Sequence, residues 1–569
     1  MKRLWLATTL LFCGLMSAWT GAQAAYGDDD ATGAQLVPKD TLMFFSIPSV
    51  ADMKEDFDKS LGGALFRDPE LKPFLDDVRK KIDELSDKLR DEVGVTIPEL
   101  LAIPKGEVTL ALMERPTAKL APVLIVDYGD SKEIVDKLLK KLHDALDGDL
   151  AEHEKQDFKD ISVHVYKFKD QDPDNPFQTL AYFNDDKCLV FSSEVAALKE
   201  ILDRWEGDST DTLANDDTFK YVQERCKSDS DEPDAVWYIS PIGLINSGLA
   251  MAQTTVPQVG MAKLFLPQLG LDKLKGFGGA GYYGSGEFDA VNKMFLYAEQ
   301  PTGVLNVFQF PATDLTPPKW VPADATKYVG ANWNAAQAYQ AIESMIDGVY
   351  GRGFTAKRLD AMASADNGPG IHIKKDVLDL LDGKLHVMVG ADSKDDDSAV
   401  PQFLMAVDVK DGAKAKKILA KAAKSDRAGL ETREFNGETI YEAGSDERSI
   451  SIAVAGNQFV LTNDAAALEG MLRTTTAAPL AESSVYRKIA KNFPAKVSML
   501  SYSRTDTQLK AAYELLKNAE DIDFLEGIDL QKLPPFEVLE KYLRPSGFYG
   551  VPDKKGALFV DFQLSEGDK

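Results

Sequence analysis

Leu124-Ile125-Val126-Asp127-Tyr128-Gly129-Asp130 and Met405-Ala406-Val407-Asp408-Val409-Lys410-Asp411 share one pattern: an apolar run, an aspartate, two spacers and a second aspartate. Each opens onto a lysine-rich stretch of helical periodicity, and in the first copy Ile134, Leu138, Leu142 and Leu146 fall on one face. Outward from this pair the resemblance continues in order. Val37-Pro38-Lys39-Asp40 recurs as Val321-Pro322-Ala323-Asp324, and Lys105 to Leu110 is echoed by Asp382 to Val387. Leu189 to Glu194 parallels Phe459 to Asp464, Leu213-Ala214 parallels Leu480-Ala481, and Gly281 to Gly284 parallels Gly547 to Gly550. Matches that keep their order while the offset drifts by a few residues indicate a duplication with loop insertions.

The boundary between the copies falls in Pro311 to Pro318, where three prolines forbid a continuing helix and favour an extended linker. The expected organisation is therefore a first half at 37–310, a linker at 311–320 and a second half at 321–569. In the first half, Val123 to Tyr128, Ile161 to Phe168 and Leu189 to Ser192 read as strands. Lys132 to Leu146 reads as a helix, and so does Val195 to Trp205, with Ser193 as its cap. Short polar turns between strands suit antiparallel pairing, so each half is expected to be α+β, a mainly antiparallel sheet with helices on one face. Residues 49–94 read as mostly helical, with Leu71, Phe74, Val78, Ile82, Leu85 and Leu89 spaced for one buried stripe.

Lys2 and Arg3 precede an uncharged apolar stretch from Leu4 to Trp19, and Ala22-Gln23-Ala24 supplies a small-x-small cleavage pattern. Residues 1–24 therefore read as a signal peptide, and 25–36 as a flexible mature N-terminus. Cys13 lies inside the apolar run after Phe12, where a lipidated cysteine would follow a small residue. No later stretch is apolar enough to span a bilayer, so the expected location is periplasmic or secreted, where ATP and NAD are scarce. The chain has 91 Asp and Glu against 65 Lys and Arg, a formal charge of −26, which argues against a nucleic-acid partner. Its three cysteines exclude a disulfide scaffold.

The chemical motifs read as structural. Gly276-Phe277-Gly278-Gly279-Ala280-Gly281 has the spacing of a dinucleotide loop, but a strand-like Tyr282-Tyr283 follows where a helix is required, so it reads as a Gly-rich entry into a strand. Asp170-Gln171-Asp172-Pro173-Asp174-Asn175 has the acid ladder of a calcium loop. Asn175 stands where the turn needs Gly and Ala181 where a bidentate Glu belongs, so a solvated acidic loop is the reading and calcium the alternative. Asp392 to Asp397 is a similar loop. Asp127, Asp130, Asp408 and Asp411 could divide acid and base roles, yet an Asp before a helix is ordinarily a cap. The histidines, His143, His153, His164, His372 and His386, show no zincin spacing, and no G-x-S-x-G elbow or S-x-x-K set is present. No cofactor and no catalytic residue is assigned.

Several segments resemble an uncharacterised family of exported bacterial proteins classed as a domain of unknown function: Leu36 to Thr41, Arg67 to Phe74, Ile97 to Leu112 and Gly370 to Val389. The resemblance implies location and tandem α+β architecture, and no catalytic residues.

Two features remain. Cys188 and Cys226 are the cysteines left after cleavage, and an oxidising compartment permits them to pair. Between Asp234 and Asp272 the one charged residue is Lys263, while Ile242, Ile245 and Leu249 recur at helical spacing and Met251, Met261 and Phe265 continue the apolar segment. The matching stretch, Asp506 to Leu530, is rich in charge and reads as solvated. Two readings of the first-half segment stay open: burial between the halves, or an exposed surface for an apolar ligand, peptide or protein partner in the cell envelope. The function expected is a non-enzymatic binding or envelope-associated protein, with an extracytoplasmic hydrolase of dispersed residues as the alternative.

Overall fold

The computed structural model describes residues 32–565 except 94–95, 115–119, 149, 170–177, 208, 366–369, 391–401, 425–428, 446–447, 474–477 and 518–527. The expected signal peptide, residues 1–24, and both acidic stretches, Asp170 to Asn175 and Asp392 to Asp397, lie outside the described residues.

The fold is α+β. Among the described residues, ten strands occupy the first part of the chain: β1 Met43–Ile47, β2 Val108–Glu114, β3 Leu120–Asp127, β4 Ala151–Phe158, β5 Ile161–Phe168, β6 Thr179–Asp185, β7 Cys188–Ser192, β8 Ala235–Ile239, β9 Leu274–Tyr283 and β10 Phe288–Ala298. They hydrogen-bond in the order β4-β5-β6-β7-β3-β2-β1-β8-β9-β10, antiparallel from β4 through β9. Ten more follow: β11 Lys327–Asn332, β12 Leu381–Val389, β13 Phe403–Val409, β14 Glu431–Phe435, β15 Glu438–Ser445, β16 Arg448–Ala455, β17 Gln458–Thr462, β18 Met499–Ser503, β19 Ser546–Asp553 and β20 Gly556–Leu564. Their order is β14-β15-β16-β17-β13-β12-β11-β18-β19-β20, antiparallel throughout. The two orders correspond strand for strand.

The sequence explains which strands lie inside. β3 is an almost continuous apolar run, and Val123, Leu124, Ile125 and Val126 are all buried between β2 and β7, as a strand covered on both faces requires. β4 is charged and polar between Ala151 and Phe158, and it ends the order. Tight turns join β4 to β5 and β14 to β15. Lys159 and Asp160 both adopt positive φ between β4 and β5, as do Asn436 and Gly437 between β14 and β15, the backbone that a two-residue hairpin turn needs.

The helix Lys132–Leu146 has the expected bounds, and Val135, Leu138 and Leu146 are its buried residues. They join a core with Leu124, Val126, Tyr166 and Tyr182. The second helix is Val195–Asp203, and Glu194 rather than Ser193 is its N-cap; the Ser192 hydroxyl accepts from Glu194 N. The first turn is thus stabilised one residue upstream of the expected cap. Residues 50–93 are helical in three pieces, Val50–Lys59, Leu61–Phe66 and Lys72–Val93. Their expected stripe is only partly buried: Leu71 is buried, Phe74, Val78 and Leu85 are half-buried, and Ile82 is exposed. Gly276 to Gly281 lies inside β9 rather than at its entry. A Cβ at Gly276 would meet the Tyr238 ring at 2.8 Å, and one at Gly279 would meet the Trp237 indole at 2.8 Å, so the glycines let β9 lie close to these aromatic side chains.

Two compact units emerge, and neither is one unbroken stretch. The first comprises residues up to Lys263, Lys275–Tyr297 and Ala512–Leu543; the second comprises Leu264–Leu274, Ala298–Ala511 and Arg544–Lys569. In the first unit, Tyr513, Leu533 and Phe536 form a small buried cluster against Phe74 of the 72–93 helix. Asp77 of that helix accepts from Asp529 N at 2.7 Å and pairs with Lys532. Tyr542 donates to Asp68 at 2.7 Å, and Lys541 pairs with Glu70. The charge-rich Asp506 to Leu530 stretch, expected to be solvated, thus leads into an anchored segment, because a few apolar residues among the charges suffice to bury one face.

Candidate functional site

The apolar segment forms the helix Pro241–Thr255, started by Pro241 after Ser240, and the 3-10 turns Pro257–Phe265, separated at Val256-Pro257 where proline ends the helix. Ile242, Ile245 and Leu249 are half-buried. Met251, Met261, Leu264 and Phe265 are exposed, Met261 at 60% and Leu264 at 70%. The segment therefore divides: its helical face is partly covered, while its distal part presents large apolar side chains to solvent. Lys263 is its one charged residue.

The paired aspartates separate in role. Asp411 caps the helix Gly412–Ala423 by accepting from Lys414 N at 2.9 Å. Asp127 instead accepts from Gly129 N at 2.8 Å, and Ser131, not Asp130, is the N-cap of the 132–146 helix. Asp408 lies 3.6 Å from His386 Nε2 and accepts from Gln458 at 2.7 Å. Burial works to raise its carboxyl, but these two hydrogen-bond donors outweigh it and hold the carboxyl below its ordinary range. His386 Nδ1 lies 2.8 Å from the Tyr328 hydroxyl, and both rings are buried. The expectation that capping would explain all four aspartates is corrected, because Asp127 serves a turn, Asp408 faces a buried imidazole, and Ser131 takes the cap position beside Asp130.

No disulfide joins Cys188 and Cys226. Cys188 begins β7, while Cys226 ends the helix Asp217–Cys226 with its sulfur 3.9 Å from Gly278 O. Burial pushes the Cys226 thiol up to about 12, so it is not a nucleophile at neutral pH. Above this helix lies an open cleft of about 730 Å³, lined by Phe219, Tyr221, Val236 and Tyr282 and rimmed by Glu224 and Lys227. A second cleft of about 630 Å³ is lined by Gln268, Asn306, Asn334, Gln337 and Gln340. Among the described residues no group of three or more His, Cys, Asp or Glu could hold a metal ion, and no helix is long and apolar enough to cross a membrane.

Asp234 was not singled out by sequence. Its amide donates to Gly281 O at 2.9 Å and its carboxylate accepts from Tyr283 N at 2.6 Å. Burial, reinforced by Asp56, Asp52 and Asp231, pushes its carboxyl up to about 6, from 3.8. Between those two values the unfolded chain releases a proton that the folded chain retains, so stability falls as pH rises through this window and stays lower above it. Asp234→Asn keeps the acceptor oxygen and removes the charge. The variant is expected to gain about 2 to 3 kcal/mol over the parent at pH 7 and almost nothing at pH 3.5; urea titrations of both proteins across this range measure the difference. A variant less stable at pH 7 would refute this account of Asp234.

Three of the five histidines come together, which their sequence spacing did not suggest. His153 on β4 and His164 on β5 stack with each other and with Tyr166 and Tyr182, and His143 on the 132–146 helix meets His153 edge-on. His372 lies apart, 2.9 Å from Asp360.

Comparison with known proteins adds one finding. Residues 359–532 match a family described as "Protein of unknown function (DUF3352)", a stretch that runs from the 354–364 helix through β18 to the Leu530–Lys532 turn. Of the four segments that carry the sequence resemblance, Gly370 to Val389 lies inside the match. Neither the curated proteins nor the solved structures contain a match to the chain.

Proposed function

We propose that this is an exported, non-enzymatic binding protein of the cell envelope, built from two tandem copies of one α+β unit, with the distal part of the 241–265 segment as its contact surface. Export is supported by the charged, then apolar, then small-residue order of residues 1–24. Duplication is supported by the ordered sequence matches and by the two corresponding strand orders. The observation that carries the binding role is the exposure of Met251, Met261, Leu264 and Phe265 in a chain of charge −26 whose residues 235–271 hold one charge. Exposed apolar side chains grouped in this way mark an interaction surface, and methionine adapts to irregular partners.

The test combines a photo-crosslinking residue at Phe265 with the double substitution Met261→Asp and Leu264→Asp. In envelope fractions the crosslink is expected to form in the parent and to vanish in the double variant, while melting shifts by less than about 2 °C, as suits exposed positions. A crosslink that survives both aspartates overturns the assignment of this surface.

A further inference from the structure

The stack of histidines is built across three elements. His153 Nε2 lies 3.1 Å from His164 Nδ1, and the rings stack at 5.3 Å. His143 meets His153 edge-on at 4.8 Å and places Nδ1 3.0 Å from the Tyr166 hydroxyl. Tyr182 on β6 lies parallel to His164 at 4.9 Å. The charged groups that bear on the three rings are Asp147, 3.7 Å from His143 Nε2, and Lys155 on β4. Asp147 thus acts on His143 and His153, and the Lys155 ammonium acts on His164.

The His153–His164 contact holds one shared proton as an N–H···N bond. Protonating both rings sets two N–H groups against each other at that distance, and the two imidazolium charges repel in a partly buried site. β4 ends the strand order of its unit, so this hairpin has a neighbour on one side only.

The second unit supplies an internal control. Counting back and forward from the Asn436-Gly437 turn as from Lys159-Asp160, the places of His153 and His164 are taken by Leu430 and Tyr441. Counting along the helix Gly412–Ala423 as along Lys132–Leu146, the place of His143 is taken by Ala423. All three belong to an apolar cluster with Val409, Leu419 and Val454. The same architecture therefore closes there without an imidazole.

We propose that His143, His153 and His164 form an acid-operated latch, which holds the β4–β5 hairpin to the 132–146 helix at neutral pH and loosens it in mildly acidic surroundings, while β14–β15 stays closed. Burial first, and the neighbouring imidazoles next, hold His153 and His164 below the ordinary value of 6.5. The sign follows: at pH above 6.5 both states are neutral and the latch is intact. As pH falls from there through the lower folded values, the unfolded or opened chain takes up protons that the closed one excludes, and the closed state loses stability.

Hydrogen exchange of the full chain at pH 7.5 and pH 5.0, corrected for the intrinsic rate, tests this. Amides of 132–168 are expected to open on the order of tenfold more at pH 5.0, and those of 412–445 to show no such change. The triple variant His143→Ala, His153→Leu and His164→Tyr, which installs the second unit's side chains, is expected to lose the response. Equal protection of 132–168 at both pH values overturns the proposal, as does a triple variant that keeps the response. The imidazole proton resonances of the parent protein give an answer independent of any variant's folding: coupled titrations of His153 and His164 below 6.5 support the latch, and independent titrations at the ordinary value refute it.

Discussion

Gly270→Ala is expected to destabilise the second unit by at least about 3 kcal/mol. Gly270 has φ 75°, in the left-handed region where an L side chain is strained. An added Cβ would also fall well inside van der Waals contact distance of the Thr302 carbonyl oxygen, and one at Gly303, with φ 56°, would strike the Leu269 carbonyl. The two stretches cross backbone to backbone, closed by a hydrogen bond from Val304 N to Leu269 O at 2.8 Å, so no rotamer change relieves the clash. Denaturant unfolding of Gly270→Ala and Gly303→Ala, with exchange protection at Val304, provides the measurement. A loss under about 1 kcal/mol for Gly270→Ala would show that the crossing does not fix the 264–274 segment.

Phe536→Ala should act on the reciprocal segment. Phe536 is 4% exposed, its ring lies 5.6 Å from that of Tyr513, and together with Leu533 the pair packs against Phe74. Deleting a buried phenyl ring costs about 3 to 5 kcal/mol. Here the cluster is small, so the expected consequence is release of 512–543 from the first unit, read as protease cleavage within that segment before global unfolding. Lys541→Ala is the contrast: its partners Glu70 and Asp68 are reached by an exposed ammonium, and surface ion pairs contribute about 0 to 1 kcal/mol. If Lys541→Ala releases the segment and Phe536→Ala does not, the anchoring is electrostatic and the apolar account fails.

The local order of the chain was legible because periodicity reports on one element at a time. Lys132–Leu146 and Ile161–Phe168 have the bounds that their apolar spacing implies. What escaped depends on register and on distant contacts. His143, His153 and His164 meet only once the β4–β5 turn is placed, and Lys159-Asp160 carries neither the Asn nor the Gly that marks such a turn. The matching turn does, as Asn436-Gly437, so reading the first hairpin through the second would have fixed its register and brought His153 beside His164. The anchoring by Tyr513, Leu533 and Phe536 was hidden for another reason. Their apolar side chains are diluted by charge and separated along the chain, and no local pattern names Phe74 as their partner. In the 241–265 segment the composition was legible, but composition does not distinguish half-buried Ile245 from exposed Leu264.

The composition of the first unit bears on the order of events during synthesis. Asp77 and Lys532 are separated by 455 positions, so the 72–93 helix meets this neighbour only after more than 400 further residues have been made. A nascent chain cannot complete this unit from its own first half, and contacts closed over so long a loop form slowly. Under the export proposed above, such late closure would be an advantage: the N-terminal portion would stay incomplete, and so unlocked, until the 512–543 segment is also across.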